Sequence, residues 1–163
     1  MKRASFLFFI LPILLFAGKE EMTQRVMETP ISHHVLERYQ RDYGGSFEEA
    51  ASLEKELKRF FVIAKIYSDE TVPMCSSAVD HLWHTFILFT QEYAHFCESA
   101  LGSFIHHKPR TSEDTTTLEE HLAKKQKFSD LYEKVFGEFP SLQIWNLIDA
   151  ECAGTGRDTS CGA

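Results

Sequence analysis

Apolar residues that return every three or four positions, in two long runs joined through a proline-marked break, constrain this chain more than any other feature. In the first run, EEAASLEKELKRFFVIAKIY, Leu53, Leu57, Phe60, Phe61, Ala64 and Tyr67 fall on one face at the helical period. In the second, Val79, Leu82, Trp83, Phe86, Ile87, Thr90, Tyr93, Phe96 and Cys97 continue the same period towards Gly102. Alternation with a period of two, the mark of a half-buried strand, stands out nowhere. The expectation is an all-α fold: a single compact helical domain of about four to six helices, since 163 residues suffice for one core without a staple. Fourteen phenylalanines make that core aromatic-rich.

Capping residues place the ends of these helices. Ser32 can cap a short helix, HHVLERYQRDY, that closes at Gly44–Gly45. Ser46 and Glu49 have the spacing of a capping box, in which each side chain bonds the other's backbone N–H, and they open the first long run. SDETVP with Pro73 ends that run, and Ser76 or Ser77 caps the next. Thr111 or Ser112 can cap a polar helix from about Thr115 to Phe136, with Gly137 as its stop. FPSLQIWNLIDAEC then reads as one or two further turns against the core. The chain therefore divides into an apolar N-terminal segment (1–21), a helical domain (22–149) with a central motif at 76–109, and a Gly/Cys-containing tail (150–163) that reads as disordered. No internal repeat is present, which removes solenoids and propellers.

The N-terminal segment carries Lys2 and Arg3 ahead of FLFFILPILLFA, the charged and apolar regions of a secretory signal. The expected small residues before a cut are missing: cleavage after Ala17 or Gly18 would place Leu15 or Phe16 three residues upstream. The apolar stretch also falls short of the roughly 20 residues that span a bilayer. Signal, short membrane anchor through residues 6–17, and apolar helix docked on the domain all stay open, as does a start at Met22. Cys75, Cys97, Cys152 and Cys161 could form two disulfides in an exported chain. None stands in a CxxC pair, and Cys97 lies on an apolar helical face where thiols serve as small hydrophobes, so the cytosol is favoured over export or anchoring.

Chemistry-bearing residues concentrate in VDHLWHTFILFTQEYAHFCESALGSFIHHKP. They form D-x-x-W-H-x-x-I-L-x-T-x-x-Y-x-x-F-C followed by G-x-x-I-H-H-x-P: Asp80, Trp83, His84, Ile87, Leu88, Thr90, Tyr93, Phe96, Cys97, Gly102, Ile105, His106, His107 and Pro109. This segment resembles the glycine-rich domain-containing protein-like family, and the tail CAGTGRDTSCGA looks like an abbreviated form of that family's glycine-rich tails. The resemblance covers about 30 residues closely and implies a motif without a reaction. Members with long glycine-rich tails have been discussed as RNA binders, but this chain has no appended domain of that kind.

Asp80 and His84 lie one helical turn apart, roughly 6 Å along the axis, so they share a face and can share a cation or a hydrogen bond. As metal ligands they would hold Zn²⁺ or another divalent ion with His106 or His107 completing the shell. As a structural pair, Asp80 orients a half-buried His84. On one straight helix His84 and Leu101 are roughly 25 Å apart, and five extended residues return only about 17 Å. His106 and His107 therefore reach His84 only if the turn doubles back or the helix ends early. Cys97, roughly 20 Å from His84 on that helix, belongs to a separate polar cluster unless the helix breaks. Trp83, Tyr93 and Phe96 read as core, and His33, His34 and His81 as solvated.

These residues point first to a binding or interaction module with a polar Asp/His pocket for a metal or small ligand. A metal-dependent, hydrolase-like enzyme is the alternative, although it lacks a placed general base; a purely structural motif is the third reading. The partner is an unspecified protein or small ligand. Nucleic acid is disfavoured, because 17 basic against 24 acidic residues leave a net charge of −7 and no concentrated basic face.

Overall fold

A computed structural model describes residues 7–109 and 115–147, with side chains described from Gly18 onward. The described residues are helical throughout their regular structure, in the order α1 (Leu7–Glu28), α2 (His33–Tyr43), α3 (Phe47–Ile66), α4 (Ser77–Leu88), α5 (Thr90–Phe96), a π-helical turn (Cys97–Leu101), α6 (Leu118–Phe136) and α7 (Leu142–Trp145). The all-α expectation holds. Among the described residues no helix is long and apolar enough to cross a membrane. The tail, with Cys152 and Cys161, and residues 1–6 lie outside the described residues. Helix α1 runs unbroken through position 21, so the end of the apolar segment is no break in the backbone, and Met22 and Val26 are buried in the core.

Helix α3 is the hub, packed against α1, α2, α4, the π turn and α6. Its start is the capping box read from the sequence: Ser46 Oγ accepts from Glu49 N at 3.2 Å, and Glu49 Oε2 accepts from Ser46 N at 2.6 Å. Leu53, Leu57, Phe60 and Phe61 on its period-3.6 face are buried, as that spacing requires. Around Phe60 and Phe61 the rings of Trp83, Tyr93, Phe96 and Phe128 pack edge-on or tilted and that of Trp145 stacks, at 5.4–6.4 Å between centroids, the offset arrangements that ring quadrupoles favour. Ser32 and Ser76 cap α2 and α4 as expected.

Two expectations need correction. Helix α6 begins at Leu118, and its cap is Thr117, whose side chain and that of Glu120 form a second capping box. The threonine three residues before a glutamate, T-x-x-E, outweighs Thr111 and Ser112, which lack that partner. The second correction matters more. The long run from Ser77 to Leu101 is not one straight helix: it breaks at Phe89, where φ −86° and ψ 64° leave the helical region, and the Phe89 N–H turns to Phe86 O at 3.0 Å. No proline or glycine lies there. The break folds α5 back on α4, so that Phe86 meets Tyr93 and Phe96 at 5.1 and 5.5 Å between ring centroids. On a straight helix Phe86 and Phe96 would be about 15 Å apart along the axis.

A buried carboxylate fastens the C-terminal helices. Glu56, 6% exposed on α3, accepts from Tyr132 Oη at 2.9 Å and from Trp145 Nε1 at 2.7 Å, and Arg59 Nη1 lies 3.6 Å away. Arg59 also donates to the Tyr132 hydroxyl, pairs with Glu138 at 2.6 Å and lies over the Tyr132 and Phe136 rings. With these partners the charge is satisfied, and among the described residues no buried side-chain polar atom lacks one. Removing the carboxylate would leave the Tyr132 O–H and the Trp145 indole N–H without their acceptor and Arg59 with Glu138 alone as its counter-charge. Glu56→Ala is expected to lower stability by about 3–5 kcal/mol in urea unfolding, while Glu48→Ala, on the exposed face of the same helix, changes it by less than ~0.5 kcal/mol.

Candidate metal centre

Ser76 fixes the first turn of α4 by accepting from Val79 N at 3.2 Å, and one residue later Asp80 stands with its carboxylate at the protein surface. One turn on, His84 Nδ1 lies 3.8 Å from Asp80 Oδ2. From the loop after the π turn, His107 Nε2 lies 2.9 Å from Asp80 Oδ1. The two imidazoles face each other at 4.3 Å between centroids, and the His107 ring also meets the Trp83 indole edge-on at 4.4 Å. One ligand atom from each of Asp80, His84 and His107 lies within 4.8 Å of the others. Exposure is graded across the group: the His84 side chain is 42% exposed, Asp80 29% and His107 12%. Two of the three groups are therefore held at a wet edge and the third is built into the domain.

The break at Phe89 is what makes this meeting geometrically feasible. With α5 folded back, Trp83 Nε1 donates to Tyr93 Oη at 3.0 Å, a contact that about 15 Å of straight-helix rise would forbid. Tyr93 Oη in turn donates to Ile105 O at 2.6 Å. Gly102, at φ 72°, ends the π turn in a left-handed conformation and starts the chain back. Lys65 bonds Ser103 on the way. Ordering the eight residues from Gly102 to Pro109 costs roughly 1 kcal/mol each in backbone entropy, whereas one imidazole–carboxylate hydrogen bond returns about 1.5–3 kcal/mol. The Asp80–His107 bond alone cannot hold this loop. The Tyr93 clasp and the half-buried Ile105 side chain must carry most of it.

His106, the other candidate of the HH pair, is exposed and packs against Phe104 at 4.9 Å, outside the group. Cys97 stands apart from the Asp80 group, fully buried in the core near Tyr93. Burial pushes its thiol pKa up, which leaves it a poor nucleophile. His81 is a correction, for it is half-buried and stacked on Tyr43 at 4.4 Å rather than solvated. His33 and His34 are exposed and both pair with Glu37. Glu92 and Glu98 are exposed, and neither joins the Asp80 cluster. The sequence reading missed the Tyr93 clasp and Glu56. A signal existed for both, since buried Tyr and Trp need a partner for their O–H and N–H; only the partners' identity was hidden.

A small all-α domain with an Asp/His/His group on one edge is the class these features define. The chain belongs to the UCP032817-like family, whose model matches residues 21–135 and so includes Asp80, His84, His106 and His107. No curated protein and no solved structure matches it.

The clasp has a consequence at alkaline pH. Burial pushes the phenols of Tyr93 and Tyr132 well above the ordinary value of 10, as it does Tyr39 more weakly. The folded state thus keeps protons that the unfolded chain releases above about pH 10, and the stability these hydroxyls confer is intact below that pH and falls as pH rises beyond it. Tyrosinate absorbance at 295 nm should show Tyr93 and Tyr132 ionising together with the loss of helical circular dichroism. Ionisation of all five tyrosines at constant helicity would contradict it.

Proposed function

We propose that this chain is a metal-binding helical module that holds one divalent transition ion, with Zn²⁺ the leading candidate, at Asp80, His84 and His107. The observation that supports the reading is the convergence of one carboxylate and two imidazoles, from a helix and a loop distant in sequence, to within 4.8 Å. Zinc bonds of about 2.0–2.1 Å put tetrahedral donors about 3.3 Å apart. The Asp80–His107 pair is already inside that distance at 2.9 Å, and the part-exposed His84 ring, 3.8 Å from the other carboxylate oxygen, has to close on both partners from within 4.8 Å. His107 Nε2 would give up its hydrogen-bonding proton to the other ring nitrogen and present a lone pair instead.

Three protein ligands leave one position of a tetrahedral ion for water or a small ligand, the arrangement of catalytic rather than structural zinc sites. Binding of a small ligand there is the leading reading. Hydrolysis by a bound water is its enzymatic form, supported by that ligand count alone. The resemblance of Asp80–Pro109 to the glycine-rich domain-containing protein-like family is proposed as a distant relation through the same motif. A second reading has a specific observation behind it: the 2.9 Å Asp80–His107 bond, with the ring edge-on to Trp83, already forms a sound tie between loop and helix.

Calorimetric titration of the purified protein with Zn²⁺ separates the two. One equivalent should bind, His84→Ala and His107→Ala should each weaken it at least tenfold, and a hundredfold excess of free ion over Kd should raise stability by about 2.7 kcal/mol. Affinity should fall as pH drops, because protons compete for the three ligands. Absence of stoichiometric binding, or binding indifferent to both variants, would leave the structural tie as the better account.

A further inference from the structure

We infer that Tyr93 is a positioning residue for His107: its single hydroxyl sets where the loop turns, and so where the imidazole meets Asp80. Three observations converge on it. The hydroxyl takes a hydrogen bond from Trp83 Nε1 at 3.0 Å, which fixes the direction of its own proton towards Ile105 O at 2.6 Å. Ile105 is thereby held through its carbonyl, and its half-buried side chain packs against the core on the same stretch of loop. His107 follows two residues later, and its ring rests edge-on against the same Trp83 that orients the hydroxyl. Trp83 and Tyr93 thus grip the loop from α4 and α5, and both are buried within the core.

Packing alone does not explain this arrangement. A phenylalanine at 93 would fill the same space, keep the ring contacts to Phe86, Phe61 and Phe104, and lose only the hydroxyl. Ile105 O would then have no donor from α5, and the Trp83 N–H would be left without its acceptor inside the core. The loop would retain its ends, at Gly102 and in the chain leading to α6, while the register that brings His107 to Asp80 loosened. Loss of either buried hydroxyl, at 93 or at 132, lowers stability, but only the one at 93 acts on the register of His107; that role stands on the hydrogen-bond geometry whether or not an ion binds, and only its effect on ion affinity rests on the metal reading above.

Tyr93→Phe should be compared with Tyr132→Phe, the same chemical change at a buried hydroxyl that bonds Glu56 instead. The first measurement uses metal-free protein and long-range proton–nitrogen spectra of the imidazoles. In the wild type and in Tyr132→Phe, His107 should show one hydrogen-bonded tautomer; in Tyr93→Phe its nitrogen shifts should move towards those of a free, exchanging imidazole. The second adds Co²⁺ alone and reads its visible absorption, with Tyr93→Phe expected to weaken binding at least tenfold and Tyr132→Phe to leave it unchanged. Should Tyr93→Phe fail to fold, 4-methylphenylalanine at position 93, which fills the volume of the hydroxyl without its hydrogen bonds and leaves the Trp83–His107 ring contact in place, is read in the same way. His107 shifts identical to wild type in the Tyr93 variant would overturn the inference whatever the ion does. Displaced shifts, in a protein whose wild type takes up no Co²⁺, would support the positioning role and end the metal reading alone.

Discussion

The bend at Phe89 is the constraint on which the rest of this structure depends. A continuous helix from Ser77 to Leu101 would carry the apolar face of α5 and the π turn away from α3. Folded back, the same residues lay Tyr93, Phe96, Cys97, Ala100 and Leu101 into the core beside Phe61 and Phe86. The backbone gives up helical hydrogen bonds at one residue, each worth about 1 kcal/mol net, and gains the burial of several large side chains, each worth about 1.5–3 kcal/mol. The magnitudes decide in favour of the bend. The far end is secured by Arg25 of α1, whose Nε donates to Ala100 O at 3.0 Å within the π turn.

Two polar networks divide the labour in this aromatic core. One, around Glu56, uses a buried charge to hold α6 and α7 to α3, and its members are all committed to one another. The other, running from Trp83 through Tyr93 to Ile105, is neutral and shapes a loop. The distinction fits their positions. A charge is tolerable inside only where several donors surround it, whereas a hydroxyl that both accepts and donates can be threaded between an indole and a carbonyl without a counter-charge. The neutral network ends at the surface beside the group with metal-ligating chemistry.

That group inherits a division of rigidity. His107 comes from a loop pinned by the clasp and is nearly buried, while His84 stands on a helix with its side chain 42% exposed. On the proposed metal reading, the more exposed imidazole is the one that would adjust around the shared carboxylate.

The sequence by itself determined the helices and most of their ends. The period of Leu53 to Tyr67, the Ser46–Glu49 box, the Ser32 and Ser76 caps and the Gly44, Gly102 and Gly137 stops are local matters, set by side chains three or four residues apart. It also placed Asp80 and His84 on one face, because that too is local. Only the tertiary structure decided which of His106 and His107 joins them. The bend at Phe89 carries no proline or glycine and arises from rings meeting across the core. No spacing rule records such a contact. The same holds for Glu56, whose run reads as an ordinary amphipathic helix until Tyr132 and Trp145, 76 and 89 residues away, arrive to satisfy it.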